Sequence, residues 1–251
     1  MGVPTPADLA AAWLRPLIFQ SRGTRLPASE TDVELVVSGV TLRGWVTNPE
    51  ADRALVYFGG NAEQVGLYRE IFASQFPRHA TYLLAYRGYG ASDGQPSEKA
   101  LVADGLDIVD EAARQHPGAP VAVVGRSLGS GVAAQVAARR PALGRLVLVT
   151  PFDSLAAVIR DGMNGMPIGG LVADRFDSAS VASRIEMPTL VLRAGRDDVI
   201  PAARTAALVD ALPPRLVTVR DFPDADHNSL SADAAYWAAI RHFLDEPGEG
   251  G

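Results

Sequence analysis

Short apolar runs alternate with longer amphipathic ones along most of the chain. The runs at 54–58, 81–86, 121–124, 145–149 and 189–193 are apolar at nearly every position, the pattern of strands covered on both faces. Two earlier runs, 33–37 and 41–46, flank a Ser38-Gly39 turn and predict a β-hairpin. A last strand is predicted at 216–219. Between these runs, helical spacing predicts helices at 63–75, at 99–115 (through Leu101, Val102, Leu106 and Val109), from Ser127 until Pro141 stops it, at 202–212 and at 232–244. Strands alternating with helices predict an α/β fold: eight strands in a mostly parallel twisted sheet with helices on both faces. No internal repeat or linker interrupts the body. One domain is therefore expected over 33–245, after an N-terminal extension at 1–32 and before a frayed tail at 246–251. The irregular stretch at about 151–187 is expected to form a small lid.

One stretch carries most of the information. The β-branched run at 121–124 ends at Gly125, and an alanine-rich run follows Ser127. Between them stands Gly125-Arg126-Ser127-Leu128-Gly129, a match to Gly-x-Ser-x-Gly. The spacing has a steric reason. A serine at the tip of a sharp strand-to-helix turn is held in a strained backbone, and the flanking glycines let neighbouring chain pass where a Cβ would clash. The hydroxyl is then lifted clear of the sheet, and the Leu128 amide at the helix N-terminus can face an oxyanion. The plain alternative is an ordinary strand–turn–helix with a capping serine.

Composition narrows the chemistry. A hydrophobic share of 47% suits a globular chain, and a net charge of −6 leaves no basic footprint for nucleic acid. Cysteine is absent, which excludes disulfides, a thiol nucleophile and thiolate metal sites and fits a reducing, cytoplasmic location. Lys99 is the only lysine, so lysine-dependent chemistry is all but excluded. No His/Asp/Glu cluster has metal-ligand spacing and no nucleotide-type phosphate loop is present, so neither metal nor cofactor is expected. The glycines at 88 and 90 read as a tight crossover turn. The apolar run at 7–19 is too short to span a bilayer and lacks the features of a signal peptide. It reads either as a short helix packed on the domain or as a peripheral membrane contact through Trp13, Leu17, Ile18 and Phe19.

Functional groups in a parallel sheet collect at the strands' C-terminal ends. The segments 59–62, 87–94, 125–129, 195–198 and 224–228 all follow such ends. Ser127 needs a base within reach. Of the four histidines, His79 and His116 precede strands and His242 lies in the closing helix, which leaves His227 in the loop after the last strand. The acid that orients it follows the strand at 189–193, as Asp197 or Asp198, and spacing does not choose between them. Asp226 adjoins the histidine and is expected to shape its loop. A second oxyanion donor is expected from the backbone N–H of Asn61, whose side chain alternatively caps a helix.

Taken in order, Val40-Thr41-Leu42-Arg43-Gly44-Trp45, Phe58-Gly59-Gly60-Asn61-Ala62, Tyr86-Arg87-Gly88-Tyr89-Gly90-Ala91-Ser92, the segment around Ser127, Thr150-Pro151-Phe152-Asp153-Ser154-Leu155, Gly195-Arg196-Asp197-Asp198-Val199-Ile200-Pro201 and Asp226-His227-Asn228 resemble the α/β-hydrolase superfamily. Within it the chain is similar to small short-lid serine hydrolases, the group that includes the abhydrolase-domain depalmitoylases. The resemblance runs from about Val33 to the closing helix. It implies Asp197 as the acid, at the head of Asp-x-Val-Ile-Pro, a triad of Ser127, Asp197 and His227, and an oxyanion hole from the Asn61 and Leu128 amides. Gly59 departs from the pattern, since the family commonly has histidine before Gly-Asn. The expected activity is hydrolysis of a small carboxylic ester or thioester through an acyl-enzyme. Peptide or acyl-peptide hydrolysis, or a non-catalytic binding module on the same fold, are the alternatives. Phe152, Met163, Met166 and Leu171 are expected to line an acyl pocket or else to form lid core. Arg126 is expected to meet an anionic substrate group or to form a salt bridge.

Overall fold

The fully apolar runs become the middle of a single sheet. A computed structural model describes residues 15, 16, 18–163 and 172–246. The strands are β1 (Val33–Val37), β2 (Val40–Thr47), β3 (Arg53–Phe58), β4 (His79–Leu84), β5 (Ala122–Arg126), β6 (Arg145–Val149), β7 (Thr189–Ala194) and β8 (Val217–Phe222). They lie in the order β1-β2-β4-β3-β5-β6-β7-β8. β2 runs antiparallel to β1 and β4, and every other neighbouring pair is parallel. This is the eight-stranded, mostly parallel sheet that the alternation predicts. Every residue of β4 and β5 is buried, which requires cover on both faces. The edge strands β1 and β8 alternate between covered and open positions.

The helices are α1 (Arg69–Gln75), α2 (Glu98–Gln115), α3 (Leu128–Ala137), α4 (Leu155–Gly162), α5 (Ala179–Ala182), α6 (Ala202–Ala211) and α7 (Ala234–Asp245). Side-chain caps set two of their starts. Ser97 accepts the Ala100 amide at the head of α2, and Asp233 accepts the Ala235 amide at the head of α7. All ten residues of α3 are buried; all but Gln135, which donates to the Asp177 carbonyl, are small or apolar.

At three places the boundaries differ from the sequence pattern for a readable physical reason. The run at 81–86 pairs two residues earlier, as His79–Leu84, because the chain turns after it with Tyr89 N–H bonded to the Tyr86 carbonyl. The helix expected over 63–75 opens as a 3-10 turn at Val65–Tyr68 and becomes α-helical only at Arg69. β8 continues through Arg220 and Asp221 to Phe222, pairing with β7. Those polar residues hide the strand's end from a hydrophobic pattern, and they are tolerated because β8 is an edge.

The N-terminal strap is docked on the sheet's C-terminal loops. Ile18 and Phe19 are buried, the latter edge-on to Phe176 with ring centroids 6.3 Å apart. These two side chains belong to the hydrophobic core. Trp13 and Leu17 lie outside the described residues. Gly90 N–H donates to Thr24 Oγ1, Gln64 Nε2 to the Gly23 carbonyl, and Arg25 Nη1 to the Ser92 carbonyl. Among the described residues, no helix is long and apolar enough to cross a membrane.

The first residue of β4 gives the fold a pH dependence. His79 is buried against Phe76, and burial, aided by Arg53, lowers its pKa from 6.5 to about 4. Between those values the unfolded chain binds a proton that the folded chain refuses. Stability from this group is therefore intact above about pH 6.5 and is lost as pH falls toward about 4, by up to about 3 kcal/mol. Urea midpoints measured at about pH 7 and about pH 4.5 should diverge in the wild type and converge in His79→Phe.

Candidate active site

The strand order reverses at β3. From there the chain steps outward to β4, and later returns to place β5 on β3's other side. Such a reversal opens a crevice beyond the strands' C-terminal ends. The register pairs Phe58 with Gly125, so the loops that follow, 59–62 and 126–128, emerge side by side. Glycine is required at this meeting. A Cβ on Gly129 would lie 2.0 Å from the Phe58 carbonyl oxygen, and one on Gly125 would lie 2.4 Å from the Gly129 carbonyl oxygen.

Ser127 sits at the turn with φ 50 and ψ −118, a conformation that side-chain-bearing residues rarely adopt. Its amide donates to the Val149 carbonyl of β6, and its carbonyl accepts from the Ser130 amide and hydroxyl. The turn is thereby held from both sides. Leu128 begins α3, where the first amides have no intrahelical acceptor. On the opposite side, Gly60 comes so close that a Cβ there would be 3.7 Å from Ser127 Cβ. Among the described residues, no hydrogen bond occupies the Asn61 N–H. The Asn61 side chain does not cap a helix. Its Oδ1 accepts from Gln20 N–H, Ala62 N–H and the Tyr89 hydroxyl, and its Nδ2 donates to the Ile18 carbonyl.

Adjacent strands bring the histidine to the serine. β7 and β8 are paired, and their exit loops are joined by Gly195 N–H to the Phe222 carbonyl and Arg196 N–H to the Ala225 carbonyl. Asp226 folds the second loop by accepting the Asn228 and Ser229 amides, which holds its carboxyl below its ordinary pKa. His227 is buried, with Nε2 3.0 Å from Ser127 Oγ and Nδ1 2.9 Å from Asp197 Oδ2. Asp197 Oδ1 also accepts the Val199 and Ile200 amides, so the carboxylate is aimed by its own turn. Asp198 is exposed. With Nδ1–H donated to Asp197, Nε2 is the acceptor facing the hydroxyl.

The sequence-predicted residues therefore divide. Ser127, Asp197 and His227 meet, with the Asn61 and Leu128 backbones beside them. Of the two roles expected for it, Phe152 takes that of core. It is 1% exposed, and its ring packs so closely on α3 that a Cβ on Gly131 would be 3.0 Å from it. Met163 ends α4 and is 40% exposed, while Met166 and Leu171 lie outside the described residues. Arg126 is in a salt bridge, 2.6 Å from Glu63. Glu63 escaped the sequence reading as the start of a helix. The available signal was its spacing, since an acid three residues after a turn reaches back to the turn's amide, as Glu63 Oε2 does to Gly60 N–H. Among the described residues, no cluster of three ligating side chains could hold a metal ion.

A strained strand-to-helix turn at the reversal point of a mostly parallel eight-stranded sheet defines the α/β-hydrolase class. Comparison with known proteins agrees. Residues 49–167 match the family described as "Serine aminopeptidase, S33". An uncharacterized protein of Mycobacterium tuberculosis is 34% identical over 236 residues, which cover 90% of this chain and 83% of that protein. Protein bem46 of Schizosaccharomyces pombe is 28% identical over 212 residues, 79% of this chain and 69% of its own length. An esterase of Pyrococcus furiosus aligns over 97% of this chain and 94% of its own, with TM-score 0.67 and 16% identity. Est1E of Butyrivibrio proteoclasticus, solved with ferulic acid, aligns over 86% and 97%, with TM-score 0.64 and 15% identity. At such identities the solved structures speak for the fold. The chain belongs to the α/β-hydrolase family.

The Asn61 side chain ties the loop after β3 to the strap and to Tyr89. Asn61→Ala removes the acceptor of the buried Tyr89 hydroxyl and should cost about 1–3 kcal/mol. A urea melt should show the loss, and limited proteolysis should cut earliest within residues 18–26.

Proposed function

We propose that this hydrolase is a serine hydrolase acting on a carboxylic ester or thioester of a small molecule. The observation that carries the reading is the hydrogen-bonded series from Ser127 Oγ through His227 to Asp197, at 3.0 and 2.9 Å, built on a backbone strained at the nucleophile. In this reading Ser127 attacks the carbonyl while His227 Nε2 takes its proton. The Asn61 and Leu128 amides hold the developing oxyanion. His227 then protonates the leaving group and activates water for deacylation, and Asp197 keeps the imidazole in one tautomer throughout. The histidine that the family pattern would place at Gly59 is not needed for these steps, because the donor is backbone.

Ester cleavage is favoured by the likeness in fold to the Pyrococcus furiosus esterase. Peptide cleavage is the second reading, because the matched family's description names an aminopeptidase. A fluorophosphonate probe should label the wild type at Ser127 and leave Ser127→Ala unlabelled. Nitrophenyl ester hydrolysis should fall by about 10⁶-fold in Ser127→Ala and in His227→Ala, with no further loss in the double variant. A folded wild type that takes no label and cleaves no ester would sink the reading. Matched amide and ester substrates would separate the two activities.

A further inference from the structure

We infer that the buried Glu63–Arg126 pair is the positioning device that fixes the loop after β3 and the histidine loop to one guanidinium, and so sets both against Ser127. The inference rests on the serine-hydrolase reading above. Arg126 is the residue before Ser127 and the last of β5, so its backbone moves with the nucleophile. Its side chain is 11% exposed, and that of Glu63 is 5% exposed. The two halves of the guanidinium serve different loops. Nη1 donates to Glu63 Oε2 at 2.6 Å, and Glu63 Oε2 in turn accepts the Gly60 amide at 2.9 Å, one residue before the Asn61 amide. Nη2 donates to the His227 carbonyl at 3.1 Å and to Asn228 Oδ1 at 3.4 Å. Glu63 is itself fixed on its other oxygen by the Tyr57 hydroxyl at 2.6 Å.

The arrangement has few substitutes. Among the described residues, the backbone of loop 223–229 is held to the neighbouring β-strand loops by Arg196 N–H to the Ala225 carbonyl on the Asp197 side, and by Arg126 on the Ser127 side. Removing Arg126 leaves the backbone of that loop tied on the acid's side only. A buried ion pair is weak as a stabiliser, because desolvation cancels much of the attraction. Fixed direction is what it supplies. Burial pulls the Arg126 pKa down, yet the Glu63 carboxylate with Tyr57 and Tyr68 holds it above its ordinary value, so the fork stays charged. Arginine is needed for shape as well as charge. Its planar fork reaches two loops at once, whereas a lysine ammonium at this place pairs with Glu63 and leaves His227 unheld.

The test compares wild type, Arg126→Lys, Arg126→Met and the paired replacement E63M/R126M. It reads ester kcat and KM, the rate of fluorophosphonate labelling, and thermal melting. Positioning predicts that Arg126→Lys melts close to wild type while kcat falls about 10-fold, with KM within about 2-fold. In Arg126→Met, kcat should fall about 10²-fold, the cost of misplacing a reacting group by about 1 Å. Labelling should slow in parallel. E63M/R126M removes both charges together and so avoids an unpaired buried ion. It should fold and remain as slow as Arg126→Met, which keeps the test open should the single variant fail to fold. Folded Lys and paired variants that turn over and label at the wild-type rate would overturn the inference while leaving the serine reading intact. So would a loss confined to KM. A folded wild type that takes no label at Ser127 would instead overturn the serine reading, and this inference with it.

Discussion

The approach of two backbones governs this molecule. The head of α3 passes the end of β3 with no room for a side chain, since a Cβ on Gly129 would fall 2.0 Å from the Phe58 carbonyl oxygen and 2.6 Å from that of Gly59. That closeness is possible because β3 and β5 are neighbours in register and because α3 is built of residues that fit a fully buried slot. It has two consequences at once. The chain must turn sharply between β5 and α3, which strains Ser127, and the loop leaving β3 is pressed against that turn. A serine hydroxyl and the amides of Asn61 and Leu128 are thus neighbours by construction. Loosening the packing to relieve the strain would also separate the donors from the hydroxyl.

Charge is handled differently at the two ends of the site. On one side, Asp197 is aimed by two amides of its own turn, a local solution that needs only a few residues. On the other, Glu63 and Arg126 meet across a long stretch of sequence with little solvent. Buried ions of this kind are costly unless every valence is met. Here Glu63 is matched by Tyr57, Gly60 and Arg126, and Arg126 by Glu63, His227 and Asn228. The satisfied network leaves the loops little freedom to drift.

The parts legible in the sequence are those set by local pattern. Interior strands read clearly because cover on both faces demands continuous apolar runs, and Ser127 and His227 follow from their places after strand ends. The end of β8 does not read, because an exposed edge tolerates Arg220 and Asp221. Spacing could not separate Asp197 from Asp198. The resemblance chose Asp197, and the structure supplies the reason: its Oδ1 is bonded within its turn, whereas Asp198 faces solvent. The sequence left Phe152 open between acyl pocket and lid core because a single aromatic in an irregular segment carries no signal of direction; its ring is turned under α3. The Asn61 clamp and the identity of Arg126's salt-bridge partner were illegible for a common reason. Both join residues from segments that only the folded sheet brings together.

Backbone strain marks where that sheet is being used. Apart from the turn residues Ser38 and Asn48, the non-glycine residues with positive φ include Ala62, Ser127 and Thr150, which follow β3, β5 and β6. Each such conformation costs of order 1–3 kcal/mol, a noticeable share of the roughly 5–15 kcal/mol by which a domain of this kind outlasts its unfolded state. Three neighbouring strand ends carry this cost, and the hydrogen bonds around them run from one end to the next: Ser127 N–H to Val149 and Thr150 N–H to Leu192. The strained turn at Ser127 is therefore braced by β6, and the turn after β6 by β7, whose own exit carries Asp197. A perturbation at any of these ends is passed along the same edge to the hydroxyl, so the sheet is part of the site's geometry as well as its support.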